Sequence, residues 1–458
     1  MRILFIALLI ASAATAELQA GFARVDITPE AGAQIPGGFN QNLAQGLHDP
    51  LWAEACFLQN ADTALAIVGV DALFVPDVVV AEARRILAEA GGPPASHVLI
   101  GASHTHSGGP IVSCFGSDAD PAYQQRVAEA IAQAVQQAEA AVQPAHAAAG
   151  IGHEDSVSYN RRFKMKDGSV RTHPGKMNPD IVEPEGPMDP DVAVISFSTP
   201  EGTAIGCFAN HALHCTCMGG SKYSADYVHY LKRTVRGVEG EELGIVYLNG
   251  ACGDVTQVDN RNPRTGEFGE AWARRVGTLL GAEVVKVLAQ AEYSADVSLA
   301  AEREVSDLPI RDLAESDEAL VAREAPASGL AANADAVFLR EAALVREMQA
   351  QSPTVPVEVQ ALRIGNAAIV TNPTEYFCAL GLSIKAQSPW PVTLVSELSN
   401  GYAGYCPTRA AFDGGGYETR TARSSFLAPG SGERIADVSV TLLKRLLAAT
   451  QTEESTAP

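Results

Sequence analysis

Residues 97–109 read His97-Val98-Leu99-Ile100-Gly101-Ala102-Ser103-His104-Thr105-His106-Ser107-Gly108-Gly109. A short apolar run, 97–101, gives way at once to histidines, hydroxyls and glycines. A run this short, β-branched in part and closed by turn-forming residues, predicts a buried strand that ends in a polar loop. The same event recurs along the chain. Residues 204–209 run into Asn210-His211-Ala212-Leu213-His214-Cys215-Thr216-Cys217, and 243–248 into Asn249-Gly250-Ala251-Cys252-Gly253-Asp254-Val255-Thr256. Residues 367–371 end in Asn372-Pro373-Thr374-Glu375, and 392–396 lead to Asn400-Gly401-Tyr402-Ala403-Gly404-Tyr405. Further strands are expected at 64–70, 192–197 and 357–364. Between these runs lie Ala-rich segments with helical spacing of apolar residues, at 121–143, 267–291 and 432–449, the first opened by Pro121. Strands alternating with helices predict an α/β fold of mixed sheets flanked by helices. Ligands in such folds bind beyond the carboxyl ends of strands, so five strand ends carrying His, Asp, Glu and Tyr imply one shared site.

Composition narrows the function. The chain has 458 residues, with 33 Lys and Arg against 54 Asp and Glu, a formal charge of −21. That charge repels phosphate backbones and anionic lipid surfaces, which argues against nucleic-acid binding. With 47% hydrophobic and 19% charged residues it is a globular chain,. Arg2, the apolar residues 3–11 and the small-x-small Ala14-Thr15-Ala16 predict a signal peptide over 1–16, hence an exported protein, periplasmic or secreted. The apolar run is too short for a span, which needs roughly 20 residues, and no later stretch qualifies. Eight cysteines are too sparse to scaffold so long a chain, and their pairing cannot be read from sequence,.

Residues 17–450 read as one large domain without an internal repeat. Residues 313–351, rich in Ala and Glu with Pro326 and Gly329 at the middle, predict a helical insertion or lid. Residues 451–458 predict a disordered tail.

His104 and His106 stand two apart, so an extended backbone projects both imidazoles to one side. Such a pair suits a divalent metal, or one ligand beside a proton carrier; alone, it is more often two hydrogen-bonded surface histidines. His211 and His214, three apart, face together only in a helical turn. With Glu375 a His/His/carboxylate zinc site becomes reasonable, since catalytic zinc keeps three protein ligands and an open position. Cys215 and Cys217 offer a thiolate alternative with His214, although a disulfide or buried thiols fit an exported chain better. No G-x-S-x-G elbow, P-loop or dinucleotide fingerprint is present, and Gly414-Gly415-Gly416 reads as a loop. Structural readings also stand: Tyr402, Tyr405 and Tyr417 as aromatic packing, Asp254 and Asp71 as caps for the segments after them, and Arg162 as a solvated basic residue beside Arg161.

Five segments in order resemble the catalytic domain of the neutral (non-lysosomal) ceramidase family. Residues 21–29, Gly-Phe-Ala-Arg-Val-Asp-Ile-Thr-Pro, are similar to its opening. The segment 103–109 resembles its THTHSG-type motif, and Gly253-Asp254-Val255-Thr256 its GDVS segment. Residues 372–377 resemble its PGEF segment and 400–418 its NxYxxY…YE segment. The resemblance extends from residue 21 to about 429. It implies a zinc ion held by His104, His214, Glu375 and Tyr405, with His211 still open as the alternative to His214. It also implies His106, Arg161 and Tyr417 in the active site, and Thr256 where the family has serine. Gln257 likewise replaces a proline, and the family's additional C-terminal domain is not reached.

The function so implied is zinc-dependent hydrolysis of an amide bond in a small-molecule or lipid N-acyl substrate such as ceramide. A metal-dependent esterase, lactonase or small-amide hydrolase is the first alternative. A non-catalytic exported binding protein with a degenerate site is the second, favoured by Thr256 alone.

Overall fold

The computed structural model describes residues 17–61, 63–324 and 334–456. The expected signal peptide, Pro326, Gly329 and the last two residues of the expected tail lie outside them. Within the described residues one topological unit occurs three times. In the first, strands Gln19–Asp26, Trp52–Gln59 and Ala64–Val70 pair antiparallel, then helix Asp77–Glu89 crosses to Val98–Ala102, parallel to Ala64–Val70. In the second, His146–His153, Asp191–Ser198 and Ala204–His211 are antiparallel, and helix Tyr227–Glu239 leads to the parallel strand Gly244–Asn249. In the third, Leu299–Pro309, Thr354–Ile364 and Ala367–Thr371 are antiparallel, and helix Cys378–Gln387 leads to the parallel Val392–Ser396. A parallel neighbour needs a long crossover, which the helix supplies. After each unit a second helix (Pro121–Ala140, Glu270–Ala289 or Ser431–Thr456) returns over the antiparallel strands of its sheet. The expectation of no internal repeat is corrected: the repeat lies in strand order and direction, which the side chains do not echo.

The three sheets place their inner faces together. Alternation along a strand sends successive side chains to opposite faces. Leu65 and Ile67 therefore join a central cluster with Phe208, Val246 and Leu248 of the second sheet and Leu362, Ile369 and Leu394 of the third. Ala66, Val68 and Val70 turn outward onto the helices of their own unit. Sheets covered on both faces give nearly continuous apolar strands, which is why these were readable. The sheets meet closely enough that a Cβ at Gly69 would lie 2.7 Å from the Tyr247 carbonyl oxygen. At one end of this core the parallel strands of all three units finish, and their exit loops converge.

The expected strands and helices occur at or within a few residues of their predicted bounds; Ala64–Val70, Ala367–Thr371 and Val392–Ser396 coincide with them. Strands Gln19–Asp26, His146–His153 and Leu299–Pro309 escaped detection because one face of each is partly open to water, and Trp52–Gln59 because Glu54 interrupts its otherwise apolar run. The predicted insertion forms helices Asp317–Glu324 and Ala334–Gln351, whose Leu320, Phe338 and Val345 pack into the outer core of the third sheet. The last helix is longer than expected, reaching Thr456 into the segment predicted as tail. No helix among the described residues is long and apolar enough to cross a membrane. All eight cysteines are free thiols, seven of them buried.

Candidate active site

The exit loops of all three units contribute to one buried cluster. His104 follows Val98–Ala102, His214 follows Ala204–His211, and Glu375 follows Ala367–Thr371. His104 Nε2 lies 3.3 Å from Glu375 Oε2, and His214 Nε2 lies 3.4 Å from the same oxygen. His106 completes a group of three imidazoles whose candidate ligand nitrogens all lie within 4.8 Å of one another. The His106 backbone N–H donates to the Cys215 carbonyl at 3.2 Å, tying the two histidine turns together. His104 itself has φ +65°, a left-handed conformation uncommon outside glycine,. Such strain costs of order 1–3 kcal/mol and concentrates at functional sites.

Hydrogen bonding fixes where the lone pairs point. His104 Nδ1 is 2.8 Å from the Leu73 carbonyl oxygen, and His214 Nδ1 is 2.8 Å from that of Cys252. A carbonyl accepts, so each Nδ1 carries the proton, and in a neutral ring Nε2 is left as a bare acceptor. Two such nitrogens then face the carboxylate oxygen Glu375 Oε2. His104 Nε2, His106 Nε2 and Glu375 Oε2 are buried without a hydrogen-bond partner. Acceptors crowded together in a buried site demand a positive charge between them. A cation meeting nitrogen and oxygen ligands at about 2.0–2.2 Å in tetrahedral array sets those ligand atoms about 3.3–3.5 Å apart, and both imidazole nitrogens stand at that distance from Glu375 Oε2,.

Electrostatics agree. Burial foremost, then the charges of Arg161 and His104, lower His214 to about 3. Burial, followed by His104 and His214, pulls His106 well below its ordinary range. Both are therefore neutral, the form that binds a metal. His104 goes the other way: burial is the largest single influence and lowers it, but the Glu375 carboxylate, together with Glu397 and the Leu73 carbonyl, raises it. A proton on His104 is the alternative occupant of the gap that a metal ion fills. The donor set, two imidazoles and a carboxylate with a third imidazole alongside, suits a divalent ion of the first transition row.

Tyr405 and Arg161 form the adjoining wall. The Tyr405 hydroxyl is 3.4 Å from His214 Nε2 and accepts from Arg161 Nη2 at 3.0 Å. Arg161 also donates to the Gly253 carbonyl (2.8 Å) and from Nε to Glu418 Oε1 (2.7 Å). The Tyr417 ring stands edge-on to that of Tyr405, centroids 5.7 Å apart. Arg161 and Tyr417 face a cavity of about 870 Å³, whose other walls include Phe39, Val170, Leu320 and Phe412. Its size is that of a small-molecule site.

Several expectations are revised by these contacts. His211 turns away: its Nδ1 meets the Asp191 carbonyl at 2.9 Å and its Nε2 the Ser158 hydroxyl at 2.7 Å. Arg162 is not solvated but fully buried, bound to Glu418, Glu185 and the Gly415 carbonyl. Asp254 does not cap its own following segment; it accepts from the Cys378 N–H, at the start of a helix far along the chain. Asp71 accepts from the Trp52 N–H across the sheet. The Thr256 hydroxyl donates to Gln257 Oε1 at 3.0 Å. Cys215 and Cys217 lie within the apolar core of the second unit. Tyr402, read as packing, donates to Glu375 Oε1 at 2.8 Å while its ring stacks on Phe74. Glu397 was missed because it is an isolated acid in an otherwise unremarked stretch, and Glu418, although it closes the 400–418 segment, was given no role. Glu397 is completely buried, and burial pushes its carboxyl up to about 8.

No family model matches the chain. It is 24% identical over 290 residues to the neutral ceramidase of Pseudomonas aeruginosa, a match that takes in 59% of this chain and 42% of that protein's length. The crystal structure of neutral ceramidase from Pseudomonas aeruginosa superposes with a TM-score of 0.71 at 19% identity, covering 94% of this chain and 74% of that one. A structure of ceramidase complexed with C2 gives 0.71 at 18% identity, over 95% and 76%. The chain thus has the α/β fold of these ceramidases over nearly its whole length and resembles the Pseudomonas aeruginosa protein in sequence over more than half of it.

Proposed function

We propose that this chain is a zinc-dependent hydrolase of an amide bond in an N-acyl substrate, exported from the cell, with N-acylated lipids such as ceramide as the substrate class. The observation that carries the reading is the convergence of His104 Nε2 and His214 Nε2 on Glu375 Oε2, at 3.3 and 3.4 Å. The similarity to neutral ceramidase in sequence and fold supports the choice of amide chemistry. His104, His214, Glu375 and Tyr405 would hold the ion. Zinc supplies Lewis acidity toward a carbonyl oxygen and lowers the pKa of water at the site.

The chain's own groups perform the rest. His106, neutral and with Nε2 unpartnered, takes a proton from the attacking water and passes it to the amine as the C–N bond breaks,. Arg161 brings a positive charge to the Tyr405 hydroxyl, and with Tyr417 faces the side where negative charge grows on the carbonyl oxygen,. Thr256 takes a supporting part, because its hydroxyl proton is already committed to Gln257. The cavity walls of Phe39, Val170, Leu320 and Phe412 would receive the acyl portion.

The test is a panel of N-acyl amides and matching esters of graded chain length, assayed with the metal-stripped protein and after zinc is restored. Zinc-restored cleavage of amides supports the reading. Ester cleavage alone would replace it with an esterase, and no cleavage of either class would contradict it.

A further inference from the structure

We infer that Glu397 is the positioning residue that holds the metal-binding side chains at their spacing, an inference that rests on the metal reading above. Glu397 follows Val392–Ser396 and is completely buried. Its Oε2 accepts from the Cys252 N–H at 3.0 Å and from the Tyr376 N–H at 2.7 Å. Its Oε1 accepts from the Cys252 thiol at 2.9 Å and from Asn249 Nδ2 at 3.3 Å. Among the described residues it forms no salt bridge.

Every contact of this carboxyl therefore goes to two turns, and each turn governs one candidate ligand. The Cys252 carbonyl receives the Nδ1–H of His214 and so sets the rotation of that ring. Tyr376 directly follows Glu375, so fixing its N–H fixes the backbone from which the ligand carboxylate projects. The Gly253 N–H donates to the Tyr376 carbonyl at 2.9 Å, closing the two turns on each other. The Glu397 N–H donates to the Asn249 carbonyl at 3.0 Å, which anchors the clamp to the strand beneath. Glu397 reaches neither substrate nor ion; it acts through the turns of His214 and Glu375. Groups that orient metal ligands in this way are commonly worth 10–100-fold in metal affinity.

The experiment uses the full chain, stripped with a chelator and titrated with zinc against a chromophoric competitor, alongside the melting temperature of the metal-free protein. Glu397→Gln keeps one oxygen for both backbone N–H groups, gives up only the long contact with Asn249 Nδ2 and turns its amide toward the Cys252 sulfur, so it should bind zinc within about threefold of wild type,. Glu397→Asp is one methylene short of both turns and should lose about 10-fold or more. Glu397→Ala should lose at least as much. Metal-free Glu397→Asp and Glu397→Gln should melt within a few degrees of each other, since a purely architectural role would move melting and leave zinc affinity alone. Zinc binding by Glu397→Asp equal to wild type would overturn the inference, as would equal weakening in Glu397→Asp and Glu397→Gln. Failure of the wild type itself to bind zinc would remove the metal reading and this inference with it.

Discussion

Glu375 and Tyr405 face each other as partners in a short parallel β-bridge. Opposed positions in a ladder carry their side chains on the same face, so the carboxylate and the phenol are brought together by backbone pairing. The Glu375 N–H donates to the Gly404 carbonyl and the Tyr405 N–H to that of Ser424, which extends the restraint on both sides. Tyr405→Phe keeps the ring and the bridge and removes only the hydroxyl between Arg161 and His214. Turnover of the best amide substrate should fall about 100-fold or more, because the hydroxyl lost is both a proposed ligand of the ion and the group that Arg161 polarises. Steady-state rates of the zinc-restored variant check this.

Tyr402 works on the other oxygen of the same carboxylate. Tyr402→Phe removes its hydrogen bond to Glu375 Oε1 and leaves the stack on Phe74. Zinc affinity should drop about 10-fold while the metal-free protein melts nearly as before. Competitive zinc titration beside thermal melting separates the two effects.

His106 is proposed as the proton carrier beside the ligands. His106→Ala should retain about one zinc per chain and lose about 100-fold or more in turnover. Metal analysis with kinetics on the same preparation decides it. A variant that keeps both metal and full turnover removes His106 from the mechanism.

Glu418 sits between Arg161 and Arg162, accepting also from the Thr172 hydroxyl. Burial raises its carboxyl, but the two guanidinium groups more than reverse this and hold it at about 2. With the folded value depressed, the unfolded chain binds the proton first. Stability from this group is therefore fully present above about pH 4.5 and is lost as pH falls toward 2. Glu418→Gln should melt lower than wild type near neutrality, by an amount equivalent to about 3–5 kcal/mol for a broken buried ion pair. The gap should narrow as pH falls from 4.5 to 2, which thermal melts across that range measure.

The sequence disclosed the parts of the molecule where burial writes continuous apolar runs. Strands covered on both faces, such as Ala367–Thr371 and Val392–Ser396, were legible with their ends, and so were the polar loops that follow them. His104, His106, Glu375 and Tyr405 stood out for that reason. The threefold recurrence of the unit was invisible, because strand order and direction leave no mark on residue identity. His214 could not be told from His211 by spacing, since the choice depends on which ring finds Ser158 and the Asp191 carbonyl. Arg162 looked like a surface charge because its partners, Glu185 and Glu418, come from distant parts of the chain. Glu397 was missed, and Glu418 given no role, on the same ground: an acid acquires meaning only from the groups folded around it.

The proposed zinc site is built by three exit loops, and in it His214, not His211, is a ligand. Mass-spectrometric metal content of the purified chain tests it, comparing wild type with His214→Ala and His211→Ala. About one zinc per chain is expected in wild type and in His211→Ala, and its loss in His214→Ala. Loss in His211→Ala alone would contradict the ligand assignment. A wild type that takes up no stoichiometric metal, even after zinc is offered, would contradict the site itself.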